Sequence, residues 1–280
     1  TAHEVAHQWW AHQVVGANVR GATMTSESMA QYAALMVMKR KYGAERMRRY
    51  LKFELDGYLA GRVTERKKEL PLADNENQAY IHYQKGTLVM YALQDFIGEE
   101  RVNRALAKYV AAVRFQGPPY TTSTELIAHL REETPPEFQY LLEDLFETIT
   151  LYDNRTESAS MKKSPTGGYD VTLRVNAQKF RSDDQGNQTE LDFDDWMDVG
   201  ALDDHGAAIF IEKRKVGKGA SELTFHVAAR PARVGIDPLN DPHERFQHFG
   251  TPPAKQGDYA YLLHIVRSLK STGKGACILP

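Results

Sequence analysis

Over about the first 150 residues, apolar positions recur at intervals of three and four, the spacing of one buried helix face, and Gly and Pro fall mainly between the periodic stretches. The pattern predicts helices over 2–13, from after Ser26 to a C-cap at Gly43, onward to about Gly61, over 80–96 with a stop at Gly98, and over 99–114, 123–133 and 136–149. Residues 62–79 are charged, contain Pro71 and lack that period. From about Asn154 the period falls to two: residues 169–175 alternate apolar and polar, and 208–212 and 223–228 continue the pattern between Gly- and Asp-rich turns. These runs predict strands of a small antiparallel sandwich. Beyond Ile236, a proline-rich stretch leads to a helix-like run at 259–269 and an apolar run at 276–279. The expected class is α+β, with a helical region over 1–150, a β-sandwich over 154–236 and a distinct tail over 237–280.

Composition narrows the chemistry. Thirty-five basic against 37 acidic residues leave a net charge of −2, so no overall field draws in nucleic acid or an anionic membrane. A single cysteine, Cys277, excludes an internal disulfide and any cysteine-built metal cluster, so metal chemistry must use His and carboxylates. No apolar run reaches the roughly 20 residues needed to cross a bilayer. The start, Thr1-Ala2-His3, has neither initiator Met nor signal peptide, and the chain is expected to be cut from something longer.

His3-Glu4-Val5-Ala6-His7 is an H-E-x-x-H pattern. Residues i and i+4 of a helix share a face, so two imidazoles can reach one metal ion. A catalytic zinc takes three protein ligands and leaves one position open, which calls for a third ligand downstream. Glu27 is the candidate, at the predicted start of the next helix, where an antiparallel return would bring it beside the histidines. Its other reading is a carboxylate favoured by the helix dipole. Glu45 and Glu54 are alternatives on another predicted helix. His12, five residues beyond His7, is expected to pack or face water.

His3-Glu4-Val5-Ala6-His7-Gln8-Trp9-Trp10 resembles the zinc helix of the gluzincin aminopeptidases of the aminopeptidase N type, and the resemblance covers about residues 1–236. The family places a ligating Glu after 18 intervening residues beyond the second His; here Ser26 occupies that site and Glu27 follows it. The resemblance therefore implies His3, His7 and Glu27 as zinc ligands, with the extra residue expected as an insertion in the loop over 16–25. Tyr83-Gln84-Lys85-Gly86 is similar to the family's Y-E-K-G, which implies that Tyr83 donates a hydrogen bond to the oxyanion. Lys85 is expected to support local structure. Glu4 is implied as the general base, taking a proton from water and delivering it to the leaving amine. The implied activity is hydrolysis at the N-terminus of peptides, with Zn2+ as cofactor, peptide as partner and no nucleic acid.

The family's G-x-M-E-N segment and the sheet that covers the zinc helix precede the point where this sequence starts, so the isolated chain is expected to be a poor enzyme. The wording near His3 is most similar to bacterial members fused to a membrane-embedded transporter-like half, which implies a parent attached to the inner membrane. The run from Asp237 resembles the modification subunit of type I restriction systems, without its methyl-donor loop or N-P-P-F, so no DNA methylation is expected. This tail is expected to be foreign to the peptidase, joined by a recombination or assembly event. Two other readings stand beside the enzyme: a non-catalytic protein-binding module, and an inactive fragment of a methyltransferase fusion.

Overall fold

The computed structural model describes residues 1–65 and 68–236. The expected tail elements and the junction near 237 lie outside them, as does the side chain of Glu45. The class is α+β, as the two periodicities require. The chain divides into two compact units, one of Thr1–Ile149 with Asp183–Gln185, the other of Thr150–Ser182 with the described residues from Gly186.

The first unit is helical. Its helices are α1 (Ala2–Ala6), α2 (Met29–Tyr42), α3 (Met47–Thr64), α4 (Gly86–Ile97), α5 (Glu99–Val113), α6 (Ser123–Glu133) and the short α7 (Tyr140–Leu142). Their apolar faces meet in one core that includes Met24, Met29, Met90, Leu93, Val102, Tyr109, Leu126 and Phe146. Each such side chain contributes about 1.5–3 kcal/mol through burial. Tyr32 of α2 donates to Gln94 of α4 at 2.6 Å inside this core, so the two helices are tied by a satisfied polar contact as well as by packing.

Several boundaries depart from the pattern, each for a local reason. The helix expected over 2–13 ends at Ala6. Beyond it the amides of Gln8 and Trp9 reach back only three residues, and the backbone reverses at Ala11, whose φ is 110°. Gly61 does not end α3, which runs on to Thr64. A Cβ at Gly61 would collide with the Tyr80 ring, so this glycine serves close approach, whereas Gly43 ends α2 at φ 87° as its sequence position suggests. The charged stretch over 62–79 takes part in the fold. It holds a 3-10 turn over Leu72–Asp74 with Leu72 fully buried, and Glu69 accepts from Arg62 at 2.8 Å and Tyr58 at 2.9 Å. The single helix expected over 136–149 is a 3-10 turn (Pro136–Phe138), α7 and a π turn (Glu143–Glu147), and a strand begins at Ile149.

Among the described residues, the second unit is built from seven strands: β1 (Ile149–Lys163), β2 (Tyr169–Ser182), β3 (Gln188–Leu191), β4 (Asp194–Leu202), β5 (Ala208–Gly217), β6 (Gly219–Val227) and β7 (Arg233–Ile236). One sheet has β2 at its centre, paired antiparallel with β6 from Tyr169↔Val227 to Ala177↔Gly219 and then with β3. The other runs β5-β4-β7. Val171, Leu173, Val175 and Ala177 point inward at every second residue of β2 and share a core with Met197, Val199 and Ala201 of β4. Phe210 and Phe225 stack across this core with centroids 4.6 Å apart.

Candidate functional site

Short as it is, α1 sets His3 and His7 one turn apart. Their rings meet edge to face at 4.7 Å, and the two Nε2 atoms lie 3.0 Å apart. Glu27 comes from the start of the next helical stretch, as its sequence position suggested. It sits inside a π turn over Met24–Ser28 that continues directly into α2. A π turn holds more residues than an α turn, and it is within such a turn that the carboxylate is presented to the histidines.

Glu27 Oε2 lies 3.2 Å from His3 Nε2 and 3.6 Å from His7 Nε2. The opposite ring nitrogens define what those atoms carry. His7 Nδ1 is 2.8 Å from the carbonyl oxygen of Trp10, which can only accept, so Nδ1 holds the proton. His3 Nδ1 faces Gln31 Oε1 at 2.9 Å, and Gln31 Nε2 donates to buried Glu54 at 2.9 Å, which orients the amide with its oxygen toward His3. With both rings neutral, each Nε2 presents a lone pair. In those tautomers two imidazole lone pairs and a carboxylate oxygen converge.

That convergence calls for a cation. A tetrahedral metal with bonds of about 2.0–2.1 Å needs ligand atoms roughly 3.3 Å apart, and the three observed separations straddle this value. His3, His7 and Glu27 are the one group of three metal-ligating side chains gathered in this way among the described residues. The donor set of two imidazoles and one carboxylate suits zinc, and the Nδ1 partners hold both rings in the ligating tautomer. The three side chains keep between 16% and 27% of their exposure, so the site opens to solvent.

Glu4 lies on the exposed side of α1. Tyr83 occupies a second π turn, Tyr80–Lys85, with its ring 5.7 Å from that of His3. Burial first, then a hydrogen bond to Glu27 and the charges of Glu27 and Glu4, push its phenol above the usual value, so it stays protonated and able to donate across the neutral range. Lys85 turns away to Glu69, 4.0 Å off, and over the Tyr58 ring; burial holds its ammonium below the usual value. His12 is exposed and bonds the carbonyl oxygen of His7.

Sequence reasoning passed over Gln31 and the carbonyl of Trp10. Gln31 was within reach, because it lies four residues after Glu27 on the same helical run; a backbone carbonyl leaves no sequence signal. Glu54, weighed above as a ligand, stands one step further out as the acceptor for Gln31.

No curated protein matches the chain. The model of the N-6 DNA Methylase family matches residues 237–280, outside the described part. The model of the Peptidase family M1 domain matches residues 1–148, which is more than half of the 280. That match takes in the helix of His3 and His7, the turn of Glu27 and the turn of Tyr83, and by its extent the chain belongs to peptidase family M1.

Proposed function

We propose that the helical unit binds one zinc ion through His3, His7 and Glu27 and acts in the hydrolysis of peptides at their N-terminus. The observation that carries this reading is the convergence of three lone-pair atoms at 3.0–3.6 Å with both histidine tautomers fixed from behind. A zinc ion there would supply Lewis acidity, polarising a carbonyl and making water acidic near neutral pH. Glu4, on the solvent side of the same helix, accepts the proton of the attacking water and returns it to the leaving amine. Tyr83 donates its hydroxyl to the developing oxyanion, a role that its raised pKa suits. Glu27 turns inward, which favours the enzyme over a protein-binding scaffold.

Elemental analysis tests the site. One zinc per chain is expected, lost in His7→Ala; unchanged stoichiometry in that variant would remove His7 from the ligand set. In a preparation that hydrolyses amino-acid anilides, Glu4→Gln and Tyr83→Phe should lower kcat more than they raise KM, and a loss confined to KM would reassign both residues to binding.

A further inference from the structure

The two π turns that carry Glu27 and Tyr83 are bound to each other by groups that are not themselves candidate ligands. Ser28, next to Glu27, donates its hydroxyl to the carbonyl of His82, next to Tyr83, at 2.6 Å in a buried contact. Gly86 leaves only enough room for Ser28: a Cβ there would fall inside contact distance of the Ser28 side chain. The His82 ring packs edge-on against the Tyr83 ring with centroids 4.3 Å apart.

Asn75 stands between the two turns and is 2% exposed. Its Nδ2 donates to Thr23 Oγ1 at 2.8 Å, immediately before the turn of Glu27, and to His82 Nδ1 at 3.0 Å. Its Oδ1 accepts from the amide of Gln78 at 3.1 Å, which fixes the orientation of the side-chain amide. Its carbonyl accepts from the amide of Gly21 at 3.2 Å. Both hydrogens of one nitrogen are thus directed, one to each turn. Neither an aspartate nor a leucine could do this: the carboxylate would place a lone pair against that of His82 Nδ1, and the alkyl group would leave the acceptors of half-buried Thr23 and buried His82 without this donor.

We infer that Asn75 is a positioning residue that sets the separation between the Glu27 carboxylate and the Tyr83 hydroxyl by holding Thr23 and His82 at a fixed span. Its consequence for metal affinity rests on the function proposed above; its consequence for the Tyr83 hydrogen bond does not. The readout is the 13Cζ NMR signal of Tyr83 in the full chain with labelled tyrosine, assigned by Tyr83→Phe and recorded without metal, together with zinc affinity from competition with a chromophoric chelator.

Asn75→Ala should shift the Tyr83 signal toward that of a solvated phenol and weaken zinc binding about tenfold, the low end for outer-shell losses. A folded Asn75→Ala chain with both quantities unchanged overturns the inference. Should that variant fail to fold, Thr23 decides: Thr23→Val removes the acceptor and should move the Tyr83 signal, while Thr23→Ser keeps it and should restore the original position. Two Thr23 variants that both match the parent signal also overturn it. If the parent chain binds no zinc, the proposed metal site fails while the Tyr83 signal still tests Asn75.

Discussion

The two units each bring ionisable side chains together, and they do so in opposite ways. In the sandwich, Asp195 Oδ2 is met by Lys179 Nζ at 2.9 Å and by the Tyr152 hydroxyl at 2.8 Å, with the Lys179 and Asp195 side chains only 7% and 8% exposed. Donors meet an acceptor, and the charges cancel. In the helical unit, two imidazole nitrogens and a carboxylate oxygen face one another at 3.0–3.6 Å, all three of them acceptors in the neutral tautomers that their Nδ1 partners favour. A cluster whose charges cancel serves the fold; one whose lone pairs converge is held in place by its surroundings and is completed only by a ligand. Glu69 shows that the helical unit can also build the first kind, since it receives Arg62 and Tyr58.

The largest expected effect falls on the closed cluster. Lys179→Met should cost about 3–5 kcal/mol in urea unfolding, because it leaves the Asp195 carboxylate buried without its cation. Replacing both partners with apolar residues of similar volume should recover most of that loss. If the single substitution is harmless, the pair does not stabilise the sandwich and the contrast between the units fails.

The open cluster should respond with the opposite sign. Glu27→Gln replaces an acceptor by a group that can donate to a histidine nitrogen, so the metal-free chain should be unchanged or gain up to about 1 kcal/mol. With zinc at 100 times its Kd the parent should gain about 2.7 kcal/mol and the variant far less. Melting curves with zinc and with chelator separate these cases. A metal-free chain destabilised by Glu27→Gln as strongly as the sandwich is by Lys179→Met would make Glu27 a structural residue.

How far the sequence spoke depended on whether the governing contact was periodic. The i, i+4 relation of His3 and His7 is a property of the helix and could be read from five residues, and the alternation over 169–175 matches the inward face of β2. The π turns left no trace in the periodicity, because a π turn draws on the same residue types as an α turn and differs in which carbonyl each amide reaches. Asn75 was hidden for a different reason. It lies in the aperiodic stretch over 62–79, where its partners, Thr23 and His82, are fixed by tertiary packing and not by any local spacing. Gly61 had a visible signal that was assigned the wrong cause, since a glycine that ends a helix and one that admits a neighbouring ring look alike in sequence.

A smaller effect separates the support around the open cluster from the cluster itself. Burial raises the Glu54 carboxyl above the ordinary glutamate range, an effect partly offset by the bond from Gln31. A raised folded pKa means that the native state holds this proton more tightly than the unfolded chain does. The resulting stability is full below the unfolded value and is lost as pH rises through the folded value. Glu54→Gln keeps an oxygen for Gln31 and removes the charge, so it should be more stable than the parent at neutral pH and converge with it in acid. Equal stability at both ends of that range would mean that Glu54 is not held against its charge.

The smallest expected effect concerns the backbone. Among the described residues, every non-glycine with positive φ belongs to the helical unit, namely Ala11, Asn77 and Phe115, whereas the sandwich places glycine at such positions, as at Gly168 and Gly206. Ala11 is exposed, so its methyl contributes little burial, and its φ of 110° crowds that methyl against the backbone. The reversal there is needed, because it returns the chain so that the Ala11 amide bonds the Val14 carbonyl at 3.0 Å, just past the Trp10 carbonyl that orients His7. Ala11→Gly relieves the strain but adds freedom to the unfolded chain, and the two terms oppose each other. Relief should win, by a few tenths of a kcal/mol to about 1 kcal/mol. The same substitution should leave zinc affinity unchanged if strain at Ala11 is incidental to the site. A drop in affinity alongside a gain in stability would instead show that the reversal holds His7 against its partners, and would place backbone strain among the means by which the open cluster is kept open.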